Sequence, residues 1–266
     1  MKPTFSICIP SYQNLEYLKL CIRSLRSNTR VPVEILVHDN GSTDGTKEWL
    51  AQNNWITSTR SETNSGFCAV NNVIRLASAD YVWVFNSDMY CLPGWDSSVV
   101  RQIYEFKKNR IDRFTISCCL IEPLGNNPEF TIANFGQTIE SFAETGLLNW
   151  FLKNQKDIKK KDTNQFSHPI MVPKFMLEEI NGFDERYYPG YTSDYDLGRA
   201  LYEKNCRNFI MLGNARIYHF SSKGFNKLAS DDKLRSGHDI FFKKWKQQPE
   251  EFRQSIGIKS DFVMIK

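Results

Sequence analysis

The sequence has no run of about 18 apolar residues, so it predicts no membrane-spanning helix. Residues 1–10 enter a strand-like pattern at once and lack the long apolar region and small-residue cleavage site of a signal peptide. These two absences predict a cytoplasmic protein without an integral membrane segment, which at most lies against a membrane surface.

Two nucleotide-binding signatures are also missing. The sequence contains no Gly-x-Gly-x-x-Gly fingerprint and no Walker A motif, so neither a dinucleotide site nor a phosphate-cradling loop is supported. The seven cysteines are an odd number and lack the spacing of metal ligands. Several lie among apolar neighbours, which is typical of small buried residues in a reducing compartment.

The composition is that of a globular protein with a substantial core, since 41% of the 266 residues are hydrophobic and 14% are aromatic. The formal net charge of +4, from 34 basic and 30 acidic residues, permits an anionic substrate without requiring nucleic acid. A basic run at residues 156–161 is interpreted first as a solvated loop or helix face.

Apolar segments of strand length alternate with amphipathic helical segments from the start of the chain. This alternation predicts an α/β fold with a single Rossmann-like, doubly wound and mostly parallel sheet. We expect one domain over residues 1–225 and a helical extension packed on it over residues 226–266. The predicted strands are 4–9, 32–38, 56–60, 81–85, 114–121, 207–212 and 216–220, and the predicted helices are 14–28, 44–51, 66–77, 93–108, 194–204, 232–245 and 249–256.

Polar residues follow three predicted strands at the point where each strand ends. Tyr12 could flank a nucleobase, and Asp39 could accept a hydrogen bond from a base N–H or equally begin a turn and cap a helix. Asp88 follows the fourth strand, at the edge where open α/β sheets bind ligands. Because the next helix is predicted only after Pro93, this carboxylate favours a divalent ion that bridges a diphosphate over a helix cap.

Three further titratable residues lie late in the chain. Asp194 and Asp196 begin a predicted helix, where the helix dipole favours carboxylates, so capping could explain one of them. Two acids beside aromatic residues also suit a general base and a partner that orients the substrate. His219 ends an apolar strand, where a lone histidine is more often structural unless a metal site needs it.

Taken in this order, these segments resemble the inverting glycosyltransferases of family 2, which have the GT-A fold. The resemblance covers about residues 3–222, and although each motif is common alone, their combination in this order is specific. The motifs are Pro10-Ser-Tyr12, Asp39-Asn-Gly-Ser-Thr-Asp-Gly-Thr46, Asn64-Ser-Gly-Phe-Cys-Ala-Val-Asn71, Asn86-Ser-Asp88, Gly182-Phe-Asp-Glu185, Ser193-Asp-Tyr-Asp196 and His219.

The resemblance implies a role for each matching residue. Asp39 occupies the position that reads the nucleobase, and Asp88, the last acid of the Asp-x-Asp motif, the position that holds Mn²⁺ or Mg²⁺. His219 resembles a histidine that completes the metal site or contacts the diphosphate in some members. Asp194 falls at the catalytic base, and Asp196 is expected to orient the acceptor or Asp194. The other residues expected to bind the nucleotide sugar are Pro10, Tyr12, Asn64, Gly66, Asn71, Asn86 and Ser87.

The activity implied is transfer of a sugar from a nucleoside-diphosphate sugar, with a UDP-sugar favoured, to a hydroxyl of a saccharide or lipid-linked acceptor. Attack opposite the leaving group would invert the anomeric carbon. Two positions depart from the family pattern: Asn86 stands where the first acid of Asp-x-Asp usually is, and Ser193 stands where a Glu often precedes the base.

Two other hypotheses remain open. The acceptor could be a hydroxymethylated base in DNA, or the chain could bind sugar nucleotides without catalysis. The C-terminal extension, which has apolar and basic residues at 241–246, is expected to pack on its own domain. The alternatives for that segment are a cover over the acceptor site, a homodimer contact and a membrane surface.

Overall fold

The computed structural model describes residues 2–125, 130–154, 163–220 and 231–258, with side chains from residue 236 onward in the last range. The strands are β1 Phe5–Ser11, β2 Val33–Asp39, β3 Thr57–Arg60, β4 Tyr81–Val84, β5 Met89–Cys91, β6 Phe114–Glu122, β7 Thr131–Ile132, β8 Thr163–Asn164, β9 Ile170–Pro173 and β10 Asn208–His219. The helices are α1 Leu15–Asn28, α2 Thr46–Gln52, α3 Asn71–Ile74, α4 Trp95–Lys108, α5 Glu144–Asn154, α6 Lys174–Ile180, α7 Ser193–Glu203, α8 Asp231–Trp245 and α9 Pro249–Ser255, with a 3-10 helix at Phe67–Val70.

The strands of the described residues form one sheet in the order β3-β2-β1-β4-β9-β6-β10-β5, with β7 beside β6 and β8 beside β10. As the alternation of strands and helices predicts, β1 is parallel to β2 and β4, and β2 is parallel to β3. Strands β6 and β10 are also parallel to each other. The predicted α/β fold with a mostly parallel sheet is confirmed.

Antiparallel strands β9 and β5 determine which strand ends meet. β9 lies between β4 and β6 and is antiparallel to both, so β4 and β6 run in the same direction. β10 follows β6, and β5 lies antiparallel to β10 at the end of the sheet. The C-terminal ends of β1, β2, β4, β6 and β10 therefore share one edge, where β9 and β5 begin.

Successive residues of the central strands are buried on opposite faces of the sheet. In β1, Phe5 and Ile7 belong to one hydrophobic cluster with residues of α1 and α4, whereas Cys8 belongs to a second cluster with residues of α6 to α9. Helices that cover both faces explain why the strands are almost continuously apolar. Trp83 and Trp95 are the largest fully buried side chains of the first cluster.

Several predicted boundaries differ from the observed elements. The helix predicted at 66–77 is the short 3-10 helix followed by α3, and the strands predicted at 207–212 and 216–220 are the single strand β10. The register of β10 against β6 shifts between Leu212 and Arg216, which separates the two predicted segments. Strands β5, β7, β8 and β9 and helices α5 and α6 have no counterpart in the prediction.

The C-terminal helices contact α7, because Lys244 and Trp245 of α8 donate hydrogen bonds to Asp196. The division of the chain at residue 225 stays a prediction, and the basic run at 156–161 lies outside the described residues. Across the described ranges, no helix combines the length and the apolar character that crossing a membrane requires.

Candidate active site

Most of the predicted functional residues lie at the edge of the sheet where the parallel strands end. Asp39 is the last residue of β2, and Asn86, Ser87 and Asp88 connect β4 to β5. His219 is the last residue of β10. The sequence interpretation that these residues share one edge therefore agrees with the geometry of the sheet.

A line of three titratable side chains forms the centre of this edge. The Nε2 atom of His219 lies 3.4 Å from Oδ1 of Asp88, and its Nδ1 atom donates a hydrogen bond of 2.7 Å to Oε1 of Glu122. The amide nitrogen of Asn86 lies 3.5 Å from the same Nε2 atom. All three titratable side chains are largely buried, so their mutual interactions are weakly screened by solvent.

The charge on His219 follows from these neighbours. Burial alone would lower the pKa of the imidazole, but the carboxylates of Asp88 and Glu122 outweigh that effect and raise the pKa to about 10. Without a bound cation, the ring is therefore protonated at neutral pH and links two acids.

The donor set at this edge fits a hard divalent cation with a diphosphate. Asp88 offers a carboxylate and His219 an imidazole nitrogen, both of which bind Mn²⁺, and a cation that bridges phosphates needs only one or two protein carboxylates. Within the described residues, no group of three or more His, Cys, Asp or Glu side chains has an arrangement that could hold a metal ion by itself. The expected metal roles of Asp88 and His219 stay predictions.

Asp39 is held firmly at the end of β2. It is buried, its Oδ1 atom accepts a hydrogen bond of 2.9 Å from the backbone of Ser42, and its Oδ2 atom pairs with the guanidinium of Arg60. Carboxylate oxygens have further lone pairs, so a base N–H could still be accepted. The turn that follows is therefore organised by Asp39 itself, and the contact of Asp39 with a base stays a prediction.

The loop of Asn64 and Gly66 lies against the segment that precedes Asp194. Gly66 has a left-handed φ of +83°, and a Cβ there would lie 2.9 Å from the carbonyl oxygen of Pro189. The side chain of Asn64 accepts a hydrogen bond from the backbone of Gly66, and Phe67 donates one to Pro189. Only glycine permits this approach, which brings the predicted donor loop against the segment that leads into α7.

Other members of the predicted nucleotide-sugar set have structural partners. The amide of Asn71 is buried and exchanges hydrogen bonds with the backbone of Phe183, tying α3 to the Gly182–Glu185 motif. Ser87 accepts a hydrogen bond of 2.5 Å from Asn14. Pro10 is buried within β1, and Tyr12 is half-buried just beyond it. Contacts of these residues with a nucleotide stay predictions.

The two acids of α7 have different surroundings. Asp194 is half-buried in the first turn of the helix, after Thr192 in a left-handed conformation. Asp196 is buried, and its oxygens accept hydrogen bonds from Tyr187, Lys244 and Trp245. The structure thus gives Asp196 a network that joins α7 to α8, and its expected role in catalysis stays a prediction.

His168 is a candidate site residue that sequence reasoning missed. It precedes β9, its ring lies 4.7 Å from that of Phe67, and its Nδ1 atom lies 3.4 Å from the carbonyl oxygen of Val84. Burial lowers its pKa, the charge of Asp194 and the hydrogen bond to the backbone of Val84 raise it, and the charge of His219 lowers it further. Its Nε2 atom is buried with no hydrogen-bond partner among the described residues.

Glu122 is a second candidate site residue that sequence reasoning missed. Neither Glu122 nor His168 belongs to a motif, and both reach the site through the arrangement of strands β6, β9 and β10. The position of Glu122 at the end of a predicted core strand was the only signal in the sequence, because parallel strands present their C-terminal residues at a common edge.

Comparison with known proteins identifies relatives of the chain. Residues 6–114 match the family model described as Glycosyl transferase family 2. Abequosyltransferase RfbV of Salmonella typhimurium is 34% identical over 131 residues, which cover 44% of this chain and 38% of that protein. Glycosyltransferase AglE of Haloferax volcanii is 29% identical over 195 residues, 71% of this chain and 58% of that protein. Chondroitin synthase of Pasteurella multocida is 28% identical over 149 residues, 54% of this chain and 15% of that protein. The chain spans less than two thirds of the length of these relatives.

Solved structures show the same architecture. S. aureus TarS 1–349 matches with a TM-score of 0.59 and 17% identity, over 92% of this chain and 73% of that chain. The structure of the same fragment in complex with UDP matches with a TM-score of 0.59 and 16% identity, over 97% of this chain and 76% of that chain. The expected GT-A fold is confirmed. Residues 6–114 are similar to glycosyltransferase family 2.

Proposed function

We propose that this protein transfers a sugar from a nucleoside-diphosphate sugar to an acceptor hydroxyl, with inversion at the anomeric carbon and with Mn²⁺ or Mg²⁺ as cofactor. The observation that carries the proposal is the common edge of the sheet, where Asp39 ends β2, Asp88 follows β4 and His219 ends β10, with Nε2 of His219 3.4 Å from Oδ1 of Asp88. The match to the family model supports the reaction class.

The proposed donor is a UDP-sugar. TarS, which shares the fold, has been solved with UDP and with UDP-GlcNAc. In this chain Asp39 would accept a hydrogen bond from the base, and Asn64 and Gly66 would line the path of the ribose and the diphosphate. Asp88 would then face the diphosphate across the same edge.

The proposed base is Asp194. Its carboxylate takes the proton from the acceptor hydroxyl as that oxygen attacks the anomeric carbon, and the bond to the nucleoside diphosphate breaks on the opposite face. The α7 network of Asp196 with Lys244 and Trp245 would hold Asp194 in position through the helix. Asp196 is thus proposed as a positioning residue.

Asp88 and His219 would hold the divalent cation. When bound, the cation supplies positive charge against the negative charge that develops on the departing diphosphate. Asn86, which replaces the first acid of the motif, would lie beside it as a neutral donor or acceptor.

A saccharide acceptor is favoured over DNA. The relatives with curated names include an abequosyltransferase and a chondroitin synthase, and none of those named here is described as acting on DNA. A cytoplasmic setting is also proposed, because the seven cysteines, all among the described residues, are buried and form no disulfide, as is usual in a reducing compartment. The homodimer and membrane-surface alternatives for the C-terminal helices stay predictions.

The experiment is a transfer assay with UDP-sugars, Mn²⁺ and saccharide acceptors, in which NMR identifies the anomeric configuration of the product. The variant Asp194→Asn keeps the shape of the side chain but removes the base, and we expect activity to fall by about 10²–10⁴-fold. Asp80→Asn is the matched control, because Asp80 is exposed at the opposite edge of the sheet. Unchanged activity in Asp194→Asn would remove this residue as the base, and a retained configuration would refute the inverting mechanism.

A further inference from the structure

Glu122 is positioned beside His219 by the register of the sheet. Strands β6 and β10 are parallel, and Tyr218 pairs with Ile121, so the next residue of each strand lies at the same level. On the other side of β10, His219 pairs with Met89, which directly follows Asp88. Backbone pairing alone therefore sets His219 between Asp88 and Glu122.

Backbone hydrogen bonds hold Asp88 and Glu122, the two acids on either side of His219. The carbonyl oxygen of Glu122 accepts a hydrogen bond of 2.9 Å from Ala133, next to the pairing of β7 with β6. The carbonyl oxygen of Asp88 accepts one of 3.1 Å from Phe220. These hydrogen bonds fix the backbone of both acids, and the imidazole between them has little freedom to rotate.

The contacts of His219 distinguish its two ring nitrogens. Nδ1 donates to Glu122 at 2.7 Å, a short charge-assisted hydrogen bond, whereas Nε2 faces Asp88 at 3.4 Å. The side chain of Glu122 is 14% exposed and that of His219 is 8% exposed, so water competes little for this hydrogen bond. Nδ1 is thus held by Glu122, and Nε2 is the nitrogen on the side of Asp88, where the proposed cation would bind.

We propose that Glu122 is a positioning residue that fixes the orientation and tautomer of His219, so that Nε2 is presented to the cation and diphosphate. The inference rests on the proposed function and assigns a residue outside every motif of the sequence. Histidines that ligate metals commonly donate their other ring N–H to a carboxylate, which fixes the ring and makes the ligating nitrogen a stronger donor. Glu122 would act in this way without touching the substrate.

The test measures Mn²⁺ affinity directly, by calorimetry or by electron paramagnetic resonance with saturating UDP, and so does not depend on turnover. Glu122→Ala removes the acceptor for Nδ1, and we expect a loss of about 10–100-fold in affinity. Glu122→Gln keeps an acceptor oxygen and should lose much less, by about threefold or under. Glu179→Ala is the matched control, since it deletes a carboxylate that pairs with Arg113 at the opposite edge of the sheet. Circular dichroism checks that each variant is folded.

The possible outcomes separate this inference from the proposed function. Wild-type affinity in Glu122→Ala would overturn the positioning role while leaving the cation site intact. An equal loss in Glu122→Gln and Glu122→Ala would also overturn it, because the carboxylate would then act as a direct ligand or through its charge. Failure of the unmodified protein to bind Mn²⁺ with UDP would refute the proposed cation requirement, and the inference with it.

Discussion

The carboxylates of Asp39 and Asp88 both lie at one edge of the sheet, and they have different partners. Asp39 is fixed by Arg60 and by the backbone of Ser42, which gives it the rigidity that reading a planar base requires. Asp88 instead faces the imidazole of His219, on the side proposed for the diphosphate. A nucleoside diphosphate bound as proposed would have to span the distance between Asp39 and Asp88 along this edge.

Replacing the charge on Asp39 tests its proposed contact with the base. Asp39→Asn keeps the size of the side chain, and we expect UDP to bind about tenfold more weakly, because a hydrogen bond to a charged group contributes about 1.5–3 kcal/mol. Titration calorimetry with UDP measures the effect, and Asp80→Asn at the opposite edge is the control. If the dissociation constant for UDP does not change, Asp39 does not read the base.

His168 makes the stability of the protein depend on pH. Burial keeps the pKa of the folded imidazole below its unfolded value near 6.5, so the unfolded state binds more protons as the pH falls through that value. The contribution of His168 to stability should therefore be full above about pH 6.5 and decline below it, by up to about 1.4 kcal/mol per pH unit for one proton. Burial also lowers the pKa of His38, which adds to the decline.

We expect His168→Gln to reduce this decline without abolishing it, because His38 remains. The free energy of unfolding in urea, measured at pH 7.5, 6.5 and 5.5, compares the two slopes. Parallel curves for the variant and the unmodified protein would show that His168 does not contribute to the pH dependence.

At the scale of elements, α8 holds the helix that carries the proposed base. Lys244 donates to Asp184 at 2.9 Å and to Asp196 at 2.8 Å, and so joins α8 to α7 and to the Gly182–Glu185 motif. Hydrogen bonds from Arg186, which has the larger effect, and from Lys244 keep the pKa of Asp184 well below its usual range. Because Asp196 is buried, loss of the Lys244 ammonium group would leave the negative charge of Asp196 without full compensation.

The variant Lys244→Met measures this connection. We expect it to lower the free energy of unfolding by about 2–3 kcal/mol, below the value for a fully buried pair because Lys244 is 26% exposed. Lys243→Met, at the neighbouring exposed position, is the control and should change stability by less than about 0.5 kcal/mol. Urea unfolding of both variants provides the comparison, and equal effects would show that the network contributes nothing beyond a surface lysine.

The elements also show where prediction from the sequence ends. Strands β1, β2 and β4 could be predicted because each is an apolar run that ends in polar turn residues, and Asp39 and Asp88 follow from the ends of β2 and β4. Strands β5 and β9 could not, since runs of three and four residues gain their stability from partners distant in sequence. Glu122 and His168 join the site through those same distant pairings, so no local pattern identifies them.

At the scale of the whole molecule, the sheet is covered by helices on both faces, which leaves its edges for ligands. The opposite edge carries exposed ion pairs, such as Lys2 with Asp80, of the kind that contributes little to stability. The edge with Asp88 instead concentrates buried charge. Ligand binding at that edge should therefore stabilise the entire folded chain, because the unfolded chain has no such edge.

Thermal unfolding with nucleotides tests this linkage. At 100 times its dissociation constant, UDP should stabilise the protein by about 2.7 kcal/mol, which corresponds to a rise in Tm of roughly 5–10 °C for a chain of this size. Mn²⁺ should add to the rise only when UDP is present, if the cation bridges Asp88 and the diphosphate. Asp88→Asn should lose this further rise in Tm. Asp194→Asn should keep it, because the proposed catalytic base does not contact the nucleotide. Stabilisation by GDP or dTDP in place of UDP would change the proposed nucleobase of the donor. If Mn²⁺ raised the Tm of Asp88→Asn as much as that of the unmodified protein, Asp88 would not belong to the cation site.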